Sequence, residues 1–172
     1  EQGKFRLIGI STSYQNEPRQ TAAEYALKTD PELWDVIMLK YGILNQFAAK
    51  EMLPLALKHG IGIMNMAPVR VKLPDPKLLE DLISKWKNLG YISNDSVPTK
   101  NPLGWLIHDD VNSVVSGAYK FSADHPAIST VITGTSSISH LENNVAALDK
   151  PSLEKEDSNR LKGVFGNIVE YV

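Results

Sequence analysis

The sequence predicts an α/β protein, a parallel sheet assembled from roughly four βα units, and three observations carry that expectation. Short apolar runs alternate with segments of helical periodicity. Polar and small residues gather just past the C-terminal ends of the runs, which is where parallel sheets hold ligands. The last run passes through a loop of hydroxyl residues directly into a helix.

Along the chain, the first strand is expected at about Phe5 to Ile10, ending in Ser11-Thr12-Ser13. After a polar stretch with Pro18, Thr21 to Lys28 suits a short helix through its alanine and leucine content and its threonine start. Asp35 to Leu39 is the second strand, near-continuously apolar as a strand covered on both faces should be. Gln46 to His59 is the next helix, with Lys58 and His59 at its negative end and Gly60 at C′. Pro54 lies inside it, so a kink or two shorter pieces is the alternative to one continuous helix. Ile61 to Met66 forms the third strand, and Ala67-Pro68 turns the chain out of it. Leu78, Leu79, Leu82, Ile83, Trp86 and Leu89 mark an amphipathic helix closed by Gly90. Pro98, Pro102 and Gly104 break any periodicity from Tyr91 to Asp110, which reads as an irregular excursion. Val111, Val114, Val115, Ala118 and Tyr119 then follow helical spacing until His125-Pro126 stops it. The fourth strand, Thr130 to Ile132, feeds a helix to about Leu148, and Leu161, Val164, Phe165 and Ile168 mark a last one. Four parallel strands leave two edges open, so either a partner covers them or the sheet is open and small.

A chain of 172 residues, 42% of them hydrophobic, can bury a real core, and residues 1–172 are read as one domain. A net charge of −2 provides no basic field, so nucleic acid is not an expected partner. No apolar run approaches the roughly 20 residues of a membrane helix, so no membrane is expected either. The absence of cysteine excludes disulfides, thiolate nucleophiles and cysteine zinc sites, and it fits a reducing compartment. A cytoplasmic protein is the default. The chain lacks an initiator methionine and enters its first strand soon after Glu1-Gln2-Gly3, as a piece of something longer would, or as a chain whose leader was removed.

Ser129 to Asn144 is the most informative segment. Val131 and Ile132 are its strand, Gly134 lets the backbone bend, and Ile138, Leu141, Val145 and Leu148 recur at helical spacing. Thr135 to Ser137 therefore sit at the positive end of a helix, whose unpaired N–H groups suit a phosphate or another anion. The same residues also suit plain capping, and Ser139 with Glu142 fits an S-x-x-E capping box.

Gly9-Ile10-Ser11, Asp35-Val36-Ile37 with Tyr41, Gly60-Ile61-Gly62-Ile63 running to Ala67-Pro68, and Val131-Ile132-Thr133-Gly134-Thr135-Ser136-Ser137 with His140 to Asn144 form an ordered set. In order and spacing they resemble strands five to eight of an aldo-keto reductase. Ser113 to Asp124 followed by Pro126 is similar to the segment before that family's last strand. The resemblance implies the C-terminal half of a (β/α)8 TIM barrel, without its N-terminal half. It also implies a nicotinamide cofactor, NADP or NAD, held without a Rossmann glycine fingerprint. Ser11 resembles the family's carboxamide-binding serine, and Thr12 replaces its usual asparagine neighbour. Met38 stands where a glutamine is common, and Met66 where an aromatic ring often stacks on the nicotinamide. Val69-Arg70-Val71-Lys72 occupy the loop that wraps the pyrophosphate, where glycines are usual. Gly134, Thr135 and Ser136 resemble the loop that receives the phosphate on the adenine ribose, and Asn143-Asn144 the pair that contacts adenine. Gly134 and His140 stand where some members carry basic residues, so the choice between NADP and NAD stays open. The family's catalytic Asp, Tyr, Lys and His belong to the first four βα units, and none is assigned here. Lys40 and Tyr41 are no substitutes, because adjacent strand residues point to opposite faces.

Other candidates for chemistry are weaker. His108-Asp109-Asp110 reads as a solvated turn, since three adjacent residues rarely converge on one metal ion. His59 reads as a helix C-terminal cation and His125 as a pre-proline breaker, while His140 is open between a surface residue and a phosphate contact. No G-x-S-x-G elbow is present, and Trp34, Trp86 and Trp105 fall on packing positions. The expected function is that of the cofactor-binding half of an NAD(P)-dependent oxidoreductase acting on a small carbonyl or sugar substrate, with the missing half or a second copy as partner. The alternatives are a non-enzymatic half barrel that associates or binds phosphate, and a complete open α/β phosphate-binding domain.

Overall fold

The computed structural model describes residues 3–150 and 152–169. Four strands, β1 (Gly9–Ser11), β2 (Val36–Lys40), β3 (Gly62–Met66) and β4 (Ile128–Val131), pair in sequence order and all in parallel. Helices α1 (Thr21–Thr29), α2 (Met52–His59) and α3 (Pro76–Asn88) lie between the first strands and before the excursion. Helices α4 (Val114–Ala123), α5 (Ile138–Leu148) and α6 (Lys155–Phe165) complete the order, with α4 preceding β4.

The burial of β2 and β3 alternates. Ile37, Leu39, Ile63 and Asn65 are fully covered, while Val36, Met38, Met64 and Met66 are half-exposed. Register places Ile37 beside Ile63 and Met38 beside Met64, so each set lies on one face of the sheet. One face therefore packs under the helices, with Leu27, Leu53, Ile83, Phe121 and Phe165 in the same core. The other face carries the methionines and lacks an equivalent cover among the described residues.

Several boundaries differ from the sequence expectation, each for a local reason. The first strand is not Phe5 to Ile10 but begins at Gly9, because the Asp35 carboxylate accepts the Ile8 N–H at 2.7 Å. Phe5 and Leu7 remain exposed. The expected helix from Gln46 is a single 3-10 turn, Phe47–Ala49, followed by α2. Pro54 is accommodated as the third residue of α2, where the missing N–H belongs to the unpaired first turn. Gly60 closes α2 with φ 69°, the left-handed conformation that glycine adopts without strain. The expected Ser139–Glu142 capping box is also replaced. Ser137 caps α5, accepting from the His140 N–H at 3.4 Å, and the Ser139 hydroxyl lies 2.9 Å from the Ser137 hydroxyl. Helix α4 starts at Val114 rather than Val111, because Ser113 and Ser116 form a reciprocal cap there. β4 starts two residues early and is staggered against β3, where the Ser129 hydroxyl accepts the Ile63 N–H at 3.1 Å. Residues 91–110 hold one 3-10 turn, Gly104–Leu106, in otherwise irregular chain.

No helix among the described residues is long and apolar enough to cross a membrane.

Candidate functional site

Two buried amides shape the C-terminal ends of the strands. Gln20, fully buried and with φ 56°, donates from Nε2 to the Lys40 carbonyl at 2.8 Å and accepts the Lys40 N–H at 2.6 Å. The Thr12 hydroxyl donates to the same amide oxygen at 2.9 Å. Asn65 makes the equivalent pair with the next residue, accepting the Tyr41 N–H and donating to the Tyr41 carbonyl, both at 2.8 Å. An amide side chain mimics a strand edge, so these residues continue the sheet's hydrogen bonding past β2 where no further strand residue is available. Gly42 then passes under Pro68, whose carbonyl oxygen would lie 2.8 Å from a Cβ at that position.

Ala67 has φ 52° and redirects the chain as it leaves β3. The loop after β3 thereby faces the start of α4 and the start of α5 across a cleft of about 750 Å³. Val69, Arg70, Val71 and Pro74 form one wall, and Asn112, Ser113, Val115, Ser116 and Tyr119 form the second. Gly134 and Thr135 from the loop after β4, with His140, Asn143 and Asn144 from the first turns of α5, close the third. Among the described residues, no acidic one lines it. Asn144 is buried, donating to the Tyr119 hydroxyl at 3.3 Å and the Thr133 hydroxyl at 3.4 Å, which pins α5 to α4 and β4. Burial pushes the Tyr119 phenol up, against a smaller lowering from Thr133.

Of the residues the sequence singles out, the cleft gathers Val69, Gly134, Thr135, His140, Asn143 and Asn144. Ser136 is exposed beside it and does not line it. Ser11 and Met66 lie apart, at the C-terminal ends of β1 and β3, and Met38 sits in the middle of β2, paired with Ser11. Thr12 follows Ser11, and its hydroxyl is already engaged by Gln20 and the Met38 carbonyl. Lys40 and Tyr41 are both buried. Tyr41 stacks on Phe121, and burial first, then the charge of Asp124, raises its phenol far above the ordinary value. It is packed as a core residue, not poised as an acid.

His108 bridges Asp109 and Asp157, each at 2.8 Å, and so ties the excursion to α6. Among the described residues no group of His, Asp and Glu is arranged to hold a metal ion. His125 contributes more than a helix stop. Its Nδ1 accepts the Ala127 N–H at 3.2 Å and its ring meets Tyr41 edge-on. His59 lies exposed in the last turn of α2. Trp86 is in the core, and Trp105 carries Arg160 over its ring at 4.1 Å.

Sequence reading missed the α4 wall and the amide braces Gln20 and Asn65, and it placed Arg70 in the loop after β3 without singling it out. Asn65 carried a usable signal, a lone polar residue on the buried face of an otherwise apolar strand. The α4 wall had none, because it is brought across the sheet by tertiary packing.

A four-stranded parallel sheet with a cleft past its strand ends is one half of a (β/α)8 barrel in architecture. The model of the Aldo/keto reductase family matches residues 1–165. The chain belongs to that family. It is 26% identical over 164 residues to the uncharacterized oxidoreductase YqkF of Bacillus subtilis (strain 168), covering 94% of this chain and 51% of YqkF. Aldo-keto reductase AKR11C1 from Bacillus halodurans, in its holo form, superposes with a TM-score of 0.58 at 24% identity, over 94% of this chain and 51% of that one. The thermostable aldo-keto reductase Tm1743, solved with the inhibitor epalrestat, gives a TM-score of 0.57 at 20% identity, over 94% and 49%. These two likenesses concern the fold. The chain spans about half the length of YqkF and of each of these solved structures.

Proposed function

We propose that this chain is the cofactor-binding half of an NAD(P)-dependent oxidoreductase that acts on a small carbonyl or a sugar. The observation that carries the reading is the cleft, where residues from four separate segments converge around a space that no described carboxylate lines. Its chemistry fits the adenosine end of a dinucleotide. The Gly134–Thr135 turn leads into the positive end of α5, Asn143 presents an amide, and Val69 with Val115 provides apolar walls for a base. The nicotinamide would extend toward Ser11 and Met66 at the ends of β1 and β3 and Met38 in the middle of β2, where one hydroxyl and two soft thioethers are offered. Thr12, spent on Gln20, would support Ser11 and not bind the carboxamide itself. When bound, the cofactor supplies the hydride. This chain's own residues hold and orient it, and Ser136, at the cleft's rim, would meet the ribose phosphate only after a small loop adjustment.

The half-exposed methionine face of the sheet supports a second component of the reading, a covering βα half or a second copy of this chain. The proton donor and its partners would come from that first half.

Saturation-transfer NMR of NADPH and NADH with the chain tests the proposal, because it reads even millimolar binding. The adenine and adenosine-ribose protons are expected to receive more saturation than the nicotinamide protons. No transfer, or a nicotinamide-dominated pattern, refutes the assignment.

A further inference from the structure

The turn that ends the irregular excursion is charged, carries a left-handed residue and leads into the cleft. The Val111 N–H donates to the His108 carbonyl at 2.8 Å and closes it. Asp109, inside it, has φ 46°, a conformation uncommon for a residue other than glycine. Buried Leu106 and Val111 anchor its two sides. Residues on either side of His108 face open space. Ile107 borders a pocket of about 240 Å³, and Asn112 and Ser113 belong both to that pocket and to the second wall of the cleft. The imidazole of His108 ties this turn to the rest of the protein, with Nδ1 2.8 Å from Asp109 and Nε2 2.8 Å from Asp157 in the first turn of α6.

The charged groups around this ring are Asp109 and Asp110 on the turn, Asp157 and Arg160 on α6, and Lys150 between α5 and α6. Lys150 meets Asp110 at 3.0 Å and Arg160 lies over Trp105 at 4.1 Å, so among the described residues Asp109 and Asp157 have their ion pairs with the imidazole. A carboxylate at each ring nitrogen calls for two N–H donors, and only the imidazolium has both. We propose that the His108–Val111 turn is a proton-controlled strap: the doubly bonded ring holds it to α6, and loss of the ring proton slackens the Asn112–Ser113 wall of the cleft. The hydrogen bond with Asp109 and then the charge of Asp157 raise the imidazole above its ordinary pKa, against the opposing pull of desolvation. The strap is therefore tight at low pH and released as pH rises through the folded value. Exposure decides which bond is lost. The Asp157 side chain is 12% exposed and that of Asp109 74%, and a carboxylate left without a donor costs more where water cannot replace it. The neutral ring keeps its N–H on Asp157 and gives up Asp109, the residue whose left-handed backbone then relaxes. The strap acts on the wall itself and does not depend on what fills the cleft.

NMR of the chain between about pH 5.5 and 8.5 tests the strap, following the rings of the 4 histidines and the amides of Asn112 and Ser113. The amide signals are expected to move with a midpoint within about 0.3 pH units of that of the His108 ring. Backbone relaxation should show residues 109–113 more mobile above that midpoint than below it. His108→Gln should abolish both effects. Asp109→Asn keeps a residue that tolerates the left-handed turn and removes one charge, so the ring and amide midpoints should fall together. His140 lines the same cleft and is the competing source of a pH-dependent signal, so His140→Gln should leave the movement in place. Circular dichroism confirms that each variant is folded. Amides that stay still, that follow His140 or His125, or that still move in His108→Gln overturn the proposal. Signals that shift with no gain in mobility report only the charge of the ring and overturn it equally. Should His108→Gln fail to fold, Asp109→Asn at its exposed position decides: a ring midpoint that falls while the amide midpoint stays refutes the strap.

Discussion

Asn65→Leu isolates the amide brace at the mouth of the site. Leucine has the same number of side-chain heavy atoms and the same branching, so the change removes polarity with little change of shape. Asn65 is fully buried, and it is the partner of both backbone groups of Tyr41 at 2.8 Å. The two losses are unequal. The Tyr41 carbonyl keeps a contact from the Ser122 hydroxyl at 3.3 Å, whereas the Tyr41 N–H is left with no acceptor. An orphaned buried donor costs about 1–3 kcal/mol, and one weakened carbonyl bond adds about 0.5–1.5 kcal/mol, so about 2–4 kcal/mol is expected in total. For a chain of this size that corresponds to a fall in Tm of roughly 5–15 °C. Urea unfolding followed by far-UV circular dichroism measures it. Asn65→Asp provides the sign test. A carboxylate can accept from the Tyr41 N–H but repels the Tyr41 carbonyl, so its folded pKa is raised and the variant should recover stability as pH falls and the acid becomes a donor. An Asn65→Leu midpoint within about 0.5 kcal/mol of wild type would refute the argument, since surface-like tolerance is incompatible with an unpaired buried N–H.

Four further outcomes follow from the packing and the titrating groups. Gly117→Ala should destabilise by about 1–3 kcal/mol, because a Cβ there would stand 2.6 Å from Leu106 Cδ2 and 3.2 Å from Val111 Cγ1; unchanged chemical unfolding would show that the excursion yields. His108 is raised above its ordinary pKa, first by its hydrogen bond with Asp109 and then by the charge of and hydrogen bond to Asp157. Its contribution is therefore full below about pH 6.5 and is lost as pH rises through the folded value, so the stability gap between wild type and His108→Gln should shrink from pH 6 to pH 8.5. A gap that grows with pH would sink that assignment. His125 is lowered, by burial first and then by Lys162, so its contribution has the opposite sign: full above about pH 6.5 and lost as pH falls. Ser137→Ala should cost about 0.5–1 kcal/mol through loss of the α5 cap, and Ser139→Ala less; the reverse order in thermal melts would restore Ser139 as the cap.

The order of strands and helices was legible because apolar runs and helical periodicity are local, and a parallel sheet leaves both in the sequence. The loop from Gly134 into α5 was legible for the same reason, as was Arg70's presence after β3, though not its place. Local pattern also marked Gly60 as a cap and raised two shorter pieces as an alternative to one helix from Gln46, though the interruption falls before Met52 and Pro54 lies within α2. It misjudged where the first strand starts, because Asp35, 27 residues from Ile8, takes the N–H that a strand partner would otherwise take. It chose Ser139 over Ser137 because either serine can cap, and only the backbone's turn decides which hydroxyl reaches the N–H.

Thus the sequence by itself determined the α/β class, the family resemblance and the residues gathered past each strand, since these depend on neighbours along the chain. Tertiary structure alone decided that Val69 and Arg70 face Asn143 across one cleft, that α4 supplies its second wall, and that Tyr14 holds Arg70 from a loop 56 residues away. It also assigned Gln20 and Asn65 to the strand ends as backbone substitutes. The physical reason is common to all of these. A side chain's partners are set by the packing of whole elements, and contacts between distant segments leave no periodicity in the chain that makes them.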